Sequence, residues 1–190
     1  VNGDGYSDVI VGALLFDNGQ TDEGRAYVYH GAASGLALSP AWIAEGNQVS
    51  AQFGGAVGTA GDVNGDGFSD VIVGCNLYDN GESDEGRAFV YLGAASGLAT
   101  SAAWSAESNQ AGAWFGYAVG TAGDVNGDGF SDVIVGTPHY GNGESSEGRA
   151  YVYPGSAAGL ATSAAWTTES NQAFAQFGAS VGAAGDVNGD

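Results

Sequence analysis

The pentapeptide Val-Asn-Gly-Asp-Gly begins at Val1, at Val63 and at Val125, and Val-Asn-Gly-Asp returns at Val187. The interval is 62 residues each time, without insertion or deletion. The chain therefore divides into three units, 1–62, 63–124 and 125–186, with 187–190 as the start of a fourth. A strict repeat of this kind means that each unit is one supersecondary module, which buries its apolar side against its neighbours.

Each unit carries the same landmarks in the same order. Asp70 to Gly74 (DVIVG) contains a short β-branched run closed by glycine, which predicts a fully buried strand. Arg25 to Gly31 (RAYVYHG), with RAFVYLG and RAYVYPG in the later units, alternates large and small residues as a half-buried strand does. A third strand is expected around Ala41 to Ala44, with its Trp, and a fourth around Phe53 to Val57. Glycine-rich turns between them leave no room for helices. The fold class expected is all-β, with each 62-residue repeat a four-stranded antiparallel β-propeller blade and no α-helical domain. Neither the WD40 nor the kelch signature falls at matching places.

Between these strands lies the pattern that carries chemistry. Asp62, Asn64, Asp66, Gly67 and Asp70 form DxNxDGxxD, and Asp124, Asn126, Asp128, Gly129 and Asp132 repeat it. Alternate oxygen-bearing side chains on a tight loop can face one point; the glycine permits the turn, and Phe68 or Phe130 offers a main-chain carbonyl. An EF-hand loop shares the first six positions but requires an acidic residue at position 12, where this chain has Val73 and Val135. A plain Asn-Gly or Asp-Gly turn would not need three carboxylates, whose crowding costs repulsive energy without a cation. Calcium, which accepts six to eight oxygens, is the cofactor expected, ahead of the stricter octahedral magnesium. Partial sites stand at both ends: Asn2, Asp4, the Tyr6 carbonyl and Asp8 at one, and Asp186, Asn188 and Asp190 at the other.

Composition agrees with a cation-binding role. Against 22 acidic residues stand only Arg25, Arg87 and Arg149, giving a formal net charge of -19, a surface that repels nucleic acid and anionic membranes. No apolar run is long enough to span a bilayer. The single Cys75 has no disulfide or zinc partner and reads as a small buried hydrophobe. The three arginines share one repeated position, and Glu23, Glu85, Glu147 and Glu45, Glu107, Glu169 recur as strictly, so each blade is expected to hold an arginine-carboxylate pair.

The order FGxxV, DVNGDGxxDVIVG, GRAYVY and GL resembles the FG-GAP repeat of integrin α-subunit propellers and many bacterial surface proteins, over essentially the whole chain. The resemblance implies calcium held between the first two strands of each blade, by the DxNxDGxxD residues named above. It implies a secreted or cell-surface module that binds a protein or a glycan in adhesion, and no enzymatic activity. Where the family has GAP, this chain reads Gly12-Ala13-Leu14, Gly74-Cys75-Asn76 and Gly136-Thr137-Pro138. Family propellers have about seven blades, so further repeats or self-association are expected to close the ring. One arrangement is two copies head to tail, each completing the other's broken blade; another is a longer array from which this chain is an excerpt.

The remaining residues sort by repetition. His30 and His139 are not repeated, which argues against a catalytic role. Trp42, Trp104 and Trp166 recur and read as packing between blades, whereas Trp114 stands where the sister units have Gln52 and Gln176 and reads as an exposed contact residue. Variation clusters in the loop from Ala13 to Glu23 and its copies, where Phe16, Tyr78 and Tyr140 are candidate contacts. Such clustering favours a binding module over a structural fibre or stalk, and the propeller part of a larger enzyme stands as a third reading.

Overall fold

The computed structural model describes residues 1–188, so Asp190, expected in the last partial loop, lies outside the described residues. Among the described residues, eleven strands form three antiparallel sheets. The first contains β1 (Val9–Ala13), β2 (Arg25–Tyr29) and β3 (Trp42–Glu45). The second runs β4 (Ala56–Gly61), β5 (Asp70–Cys75), β6 (Arg87–Tyr91) and β7 (Trp104–Glu107) in chain order. The third repeats it with β8 (Ala118–Gly123), β9 (Asp132–Thr137), β10 (Arg149–Tyr153) and β11 (Trp166–Glu169). Each is a propeller blade. Among the described residues no helix is long and apolar enough to cross a membrane.

Alternation in RAYVY puts Ala26 and Val28 inside and leaves Arg25, Tyr27 and Tyr29 half-buried. By contrast β5 is buried along its whole length, because a neighbouring blade covers each of its faces. The core lies between blades: Val28, Trp42, Phe53, Val73 and Tyr91 fill the first seam, and Val90, Trp104, Phe115, Val135 and Tyr153 the second. Trp42 and Trp104 are the inter-blade packing residues the repetition suggested. Each donates its indole N–H across the seam, to the Ala99 and Ala161 carbonyls, and meets Tyr91 or Tyr153 edge-on at 4.8 and 4.9 Å.

One strand differs from the sequence reading. The chain around Phe53 is not extended, because Gln52 and Gly54 both take positive φ; Phe53 instead makes a parallel bridge to Gly24. The strand begins at Ala56 and pairs with β5 (Ala56↔Gly74, Val57↔Val73), so it opens the following blade. Its small residues let inner strands approach, with Gly58 lying beside Val119 and Gly120 of β8. A bulge between Thr59 and Gly61, with Gly61 at φ +78, turns the chain out of the sheet. The same bulge ends β8 at Gly123.

Candidate functional site

Both bulges lead directly into a DxNxDGxxD loop. In the loop between β4 and β5, Asp62 Oδ1 accepts the N–H groups of Gly65 (2.7 Å) and Asp66 (3.1 Å), and Oδ2 accepts that of Gly67 (2.8 Å). Asn64 Oδ1 accepts from the Asp66 N–H at 3.2 Å, its amide donates to Asp66 Oδ2 at 2.8 Å, and Asp66 Oδ1 accepts from Phe68 N–H at 2.9 Å. Side chains two residues apart thus close successive turns on the main chain, and glycines at positive φ (Gly65, Gly67) make the winding affordable. Asp70 closes the circuit from beneath: its oxygens accept from Val63 and Gly93 N–H, both at 2.8 Å, in a fully buried position.

The loop between β8 and β9 repeats this arrangement. Asp124 takes the N–H groups of Gly127, Asp128 and Gly129; Asn126 takes that of Asp128, and Asp128 that of Phe130. Asp132 is buried on Val125 and Gly155 N–H. In the N-terminal partial loop Asn2 and Asp4 bond as Asn64 and Asp66 do, and Asp8 accepts from the terminal ammonium and from Gly31 N–H. Asp186 and Asn188 lie exposed beyond β11. The loops also touch each other. A Cβ on Gly65 would stand 2.6 Å from the Phe130 ring, one on Gly3 2.7 Å from Phe68, and Ser131 N–H donates to the Asp62 carbonyl.

Electrostatics distinguish the carboxylates. Burial, reinforced by Asp66 and Asp62, pushes Asp70 up to about 6, while hydrogen bonds, above all from Gly129 N–H, hold Asp124 below its ordinary value. The donor set is entirely oxygen, as a hard cation requires. As they stand, however, no three acidic, His or Cys side chains among the described residues converge closely enough to hold an ion. Backbone N–H groups take part of each carboxylate's capacity, leaving lone pairs on Asp62, Asp66 and Asp70 for a further partner.

The opposite end of each blade carries the Arg-Glu pairs, and the structure chooses between the two glutamates. Arg25, Arg87 and Arg149 pair with Glu45, Glu107 and Glu169, directly across β2–β3 and its copies. Glu23, Glu85 and Glu147 are instead completely buried, Glu85 beneath the Asn80 N–H. Phe16 and Tyr140 lie under the guanidinium groups at 3.8 and 4.0 Å, with Tyr78 farther off at 5.5 Å, so these aromatics cover their own blade. Cys75 is buried with its thiol on the Ala51 carbonyl.

A profile of the FG-GAP repeat matches residues 1–29, 53–91 and 115–153. Integrin alpha-IIb of Mus musculus is 34% identical over 143 residues, covering 72% of this chain, and integrin alpha-8 of Gallus gallus is 33% identical over 147 residues. Integrin alpha pat-2 of Caenorhabditis briggsae aligns over the whole chain at 30% identity. The chain spans only 14–16% of the length of these relatives.

Proposed function

Because this chain belongs to the FG-GAP repeat family, we propose that it is a calcium-binding β-propeller module of a secreted or cell-surface protein, mediating adhesion by binding a protein or glycan. The observation that carries the calcium reading is the duplicated hydrogen-bond pattern, in which two loops 62 residues apart hold the same side chains in the same way. The ligands would be Asp62, Asn64, Asp66, the Phe68 carbonyl and Asp70 in one loop. In the other they would be Asp124, Asn126, Asp128, the Phe130 carbonyl and Asp132. A bound ion would neutralise crowded carboxylates in a chain of net charge -19 and tie each loop to the strand that follows it. Binding partners, not substrates, suit a site plan in which the repeated residues supply oxygen ligands and structural pairs.

Val9 and Val11 of β1 are 39% and 45% exposed where Val71 and Val73 are buried against the preceding blade, so one face of the first blade is uncovered, and β1 is also the edge strand of its sheet. Further repeats or a second copy would cover it.

Calorimetric titration with calcium tests the main reading. Two sites of about 0.1–1 mM dissociation constant are expected, in the range of extracellular calcium modules, and Asp62→Ala or Asp124→Ala should each remove one. No binding heat together with an unchanged melting temperature at 10 mM calcium would exclude it.

A further inference from the structure

The second and third units depart from the repeat at a few loop positions on either side of their junction, and those departures meet in space. Trp114 replaces Gln52 and Gln176, Tyr117 replaces Gly55 and Ala179, and His139 replaces Leu15 and Leu77. Ser146 stands where Asp22 and Asp84 stand in the other copies, and Gly141 where Asp17 and Asp79 do. In the structure the Trp114 ring meets His139 edge-on at 4.1 Å and lies within 17° of parallel to Tyr117 at 6.1 Å. His139 Nδ1 is 3.4 Å from Ser146 Oγ. Substitutions up to 32 residues apart in sequence therefore compose one surface, at the seam between the loop before β8 and the loop after β9.

This surface is not core. Tyr117 is 44% exposed and Trp114 and His139 are half-buried, in contrast to the enclosed Trp42 and Trp104. It is also firmly held. The Gln110 amide donates to the Gly141 carbonyl at 2.9 Å and accepts from its N–H at 2.8 Å, clasping the two loops together. Trp114 has φ +62, close to +58 and +52 at Gln52 and Gln176, so the backbone belongs to the repeat and only the ring is new.

We propose that Trp114, Tyr117, His139 and Ser146 form a binding site for an uncharged saccharide. Two nearly parallel aromatic rings offer apolar faces to the C–H face of a pyranose, and the imidazole and hydroxyl beside them offer hydrogen bonds to its hydroxyls. Burial lowers the His139 pKa, so its ring is neutral at pH 7 and both donates and accepts. Charge selects against acidic ligands. Each of the three arginines is held by its own glutamate, and the chain carries -19 overall, so nothing here would neutralise a carboxylate or sulfate. The loss of two aspartates at Gly141 and Ser146 removes the charge that the sister loops present at this place. A patch of four side chains is also far smaller than the roughly 800 Å² per partner of a stable protein interface.

The proposal rests on the binding-module reading and is tested separately from it. The intact 190-residue chain is applied to an array of neutral, sialylated and sulfated oligosaccharides, and the strongest neutral ligand is then titrated by calorimetry against wild type, Trp114→Gln and His139→Leu. Both variants restore the residue the sister units carry, so their melting temperatures should stay close to wild type. The expected result is binding to neutral glycans, weakened about tenfold or more by Trp114→Gln. Neutral-glycan binding unchanged in both variants would overturn the site and leave a binding module intact. Binding confined to acidic glycans, or to none, would overturn the proposal itself.

Discussion

Gly74 supplies a stringent test of how the blades are joined. It lies in β5, and a Cβ built there would stand 1.9 Å from the main-chain oxygen of Gly116, 3.0 Å from its carbonyl carbon and 3.4 Å from Ala56 Cβ. Normal contact is roughly 3.5 Å, so Gly74→Ala forces the two blades apart by more than 1 Å or twists one strand. The obstacle is main chain beside Phe115, itself completely buried, and cannot rotate away. Overpacking of this kind costs about 3 kcal/mol at the upper end of the usual range, which for a chain of this size lowers the melting temperature by roughly 6–12 °C. Gly120→Ala is the matched control. It lies in β8 with no atom within 4 Å of its Cβ and no positive φ, so it should be neutral or stabilise by up to about 1 kcal/mol through the unfolded chain. Both variants are melted by circular dichroism in saturating calcium. A Gly74→Ala shift no larger than that of Gly120→Ala would refute the inter-blade contact as the reason for the glycine.

Two further outcomes follow from burial. Asp70 holds a proton more tightly when folded, up to about 6 against 3.8, so its contribution is favourable below pH 4 and is lost as pH rises through 6; in chelator the melting temperature should fall from pH 4.5 to 7.5, by the equivalent of roughly 3 kcal/mol at most. Asp8, Asp124 and Glu169, with lowered values, act in the opposite sense, and lose their contribution only as pH falls through their ordinary values of 3.8 for the aspartates and 4.5 for the glutamate toward the lowered ones. Calcium, by holding the ionised form, should flatten or reverse that trend, and a melting temperature that rises with pH in chelator contradicts the assignment. For the tryptophans, Trp104→Ala should cost about 3–5 kcal/mol and Trp166→Ala under about 1 kcal/mol, because Trp104 is packed on Tyr153 whereas Trp166 is 48% exposed; equal losses in urea denaturation would be inconsistent with inter-blade packing.

The repeat, the strand-forming segments and the DxNxDGxxD loops were legible in the sequence because each rests on a local signal: a fixed interval, a two-residue alternation, a β-branched run. The inner strand was placed too early because AVGTAG has no alternation to read, and its start is decided by the positive φ of Gln52 and Gly54. Which glutamate meets each arginine was also hidden. Glu23 is closer in sequence, but the antiparallel register sets Arg25 opposite Glu45. At the loops the oxygen donors could be counted, yet how far backbone N–H groups occupy them depends on the turns they close. Trp114 stood out by its break with the repeat, whereas Tyr117 and Ser146 gained meaning only when two loops were seen to share a seam.

The placement of the two sites bears on how they can influence each other. Asp132, at the start of β9, belongs to the candidate calcium loop, and Thr137, at its other end, leads into the loop that carries His139. Six residues of extended chain put roughly 17–20 Å between them, too far for an ion at Asp132 to touch a ligand at Trp114. What connects them is the buried strand itself, hydrogen-bonded to β8 and β10 along its length. A cation at one end therefore acts on the other only through the stiffness of the blade. Removing it should lower thermal stability more than it lowers affinity at the aromatic seam. The same division would account for the pattern of repetition: residues that would hold the frame recur in every unit, and the aromatic departures Trp114, Tyr117 and His139 lie at the far end, where a change would alter the proposed ligand contact without loosening what holds the blades together.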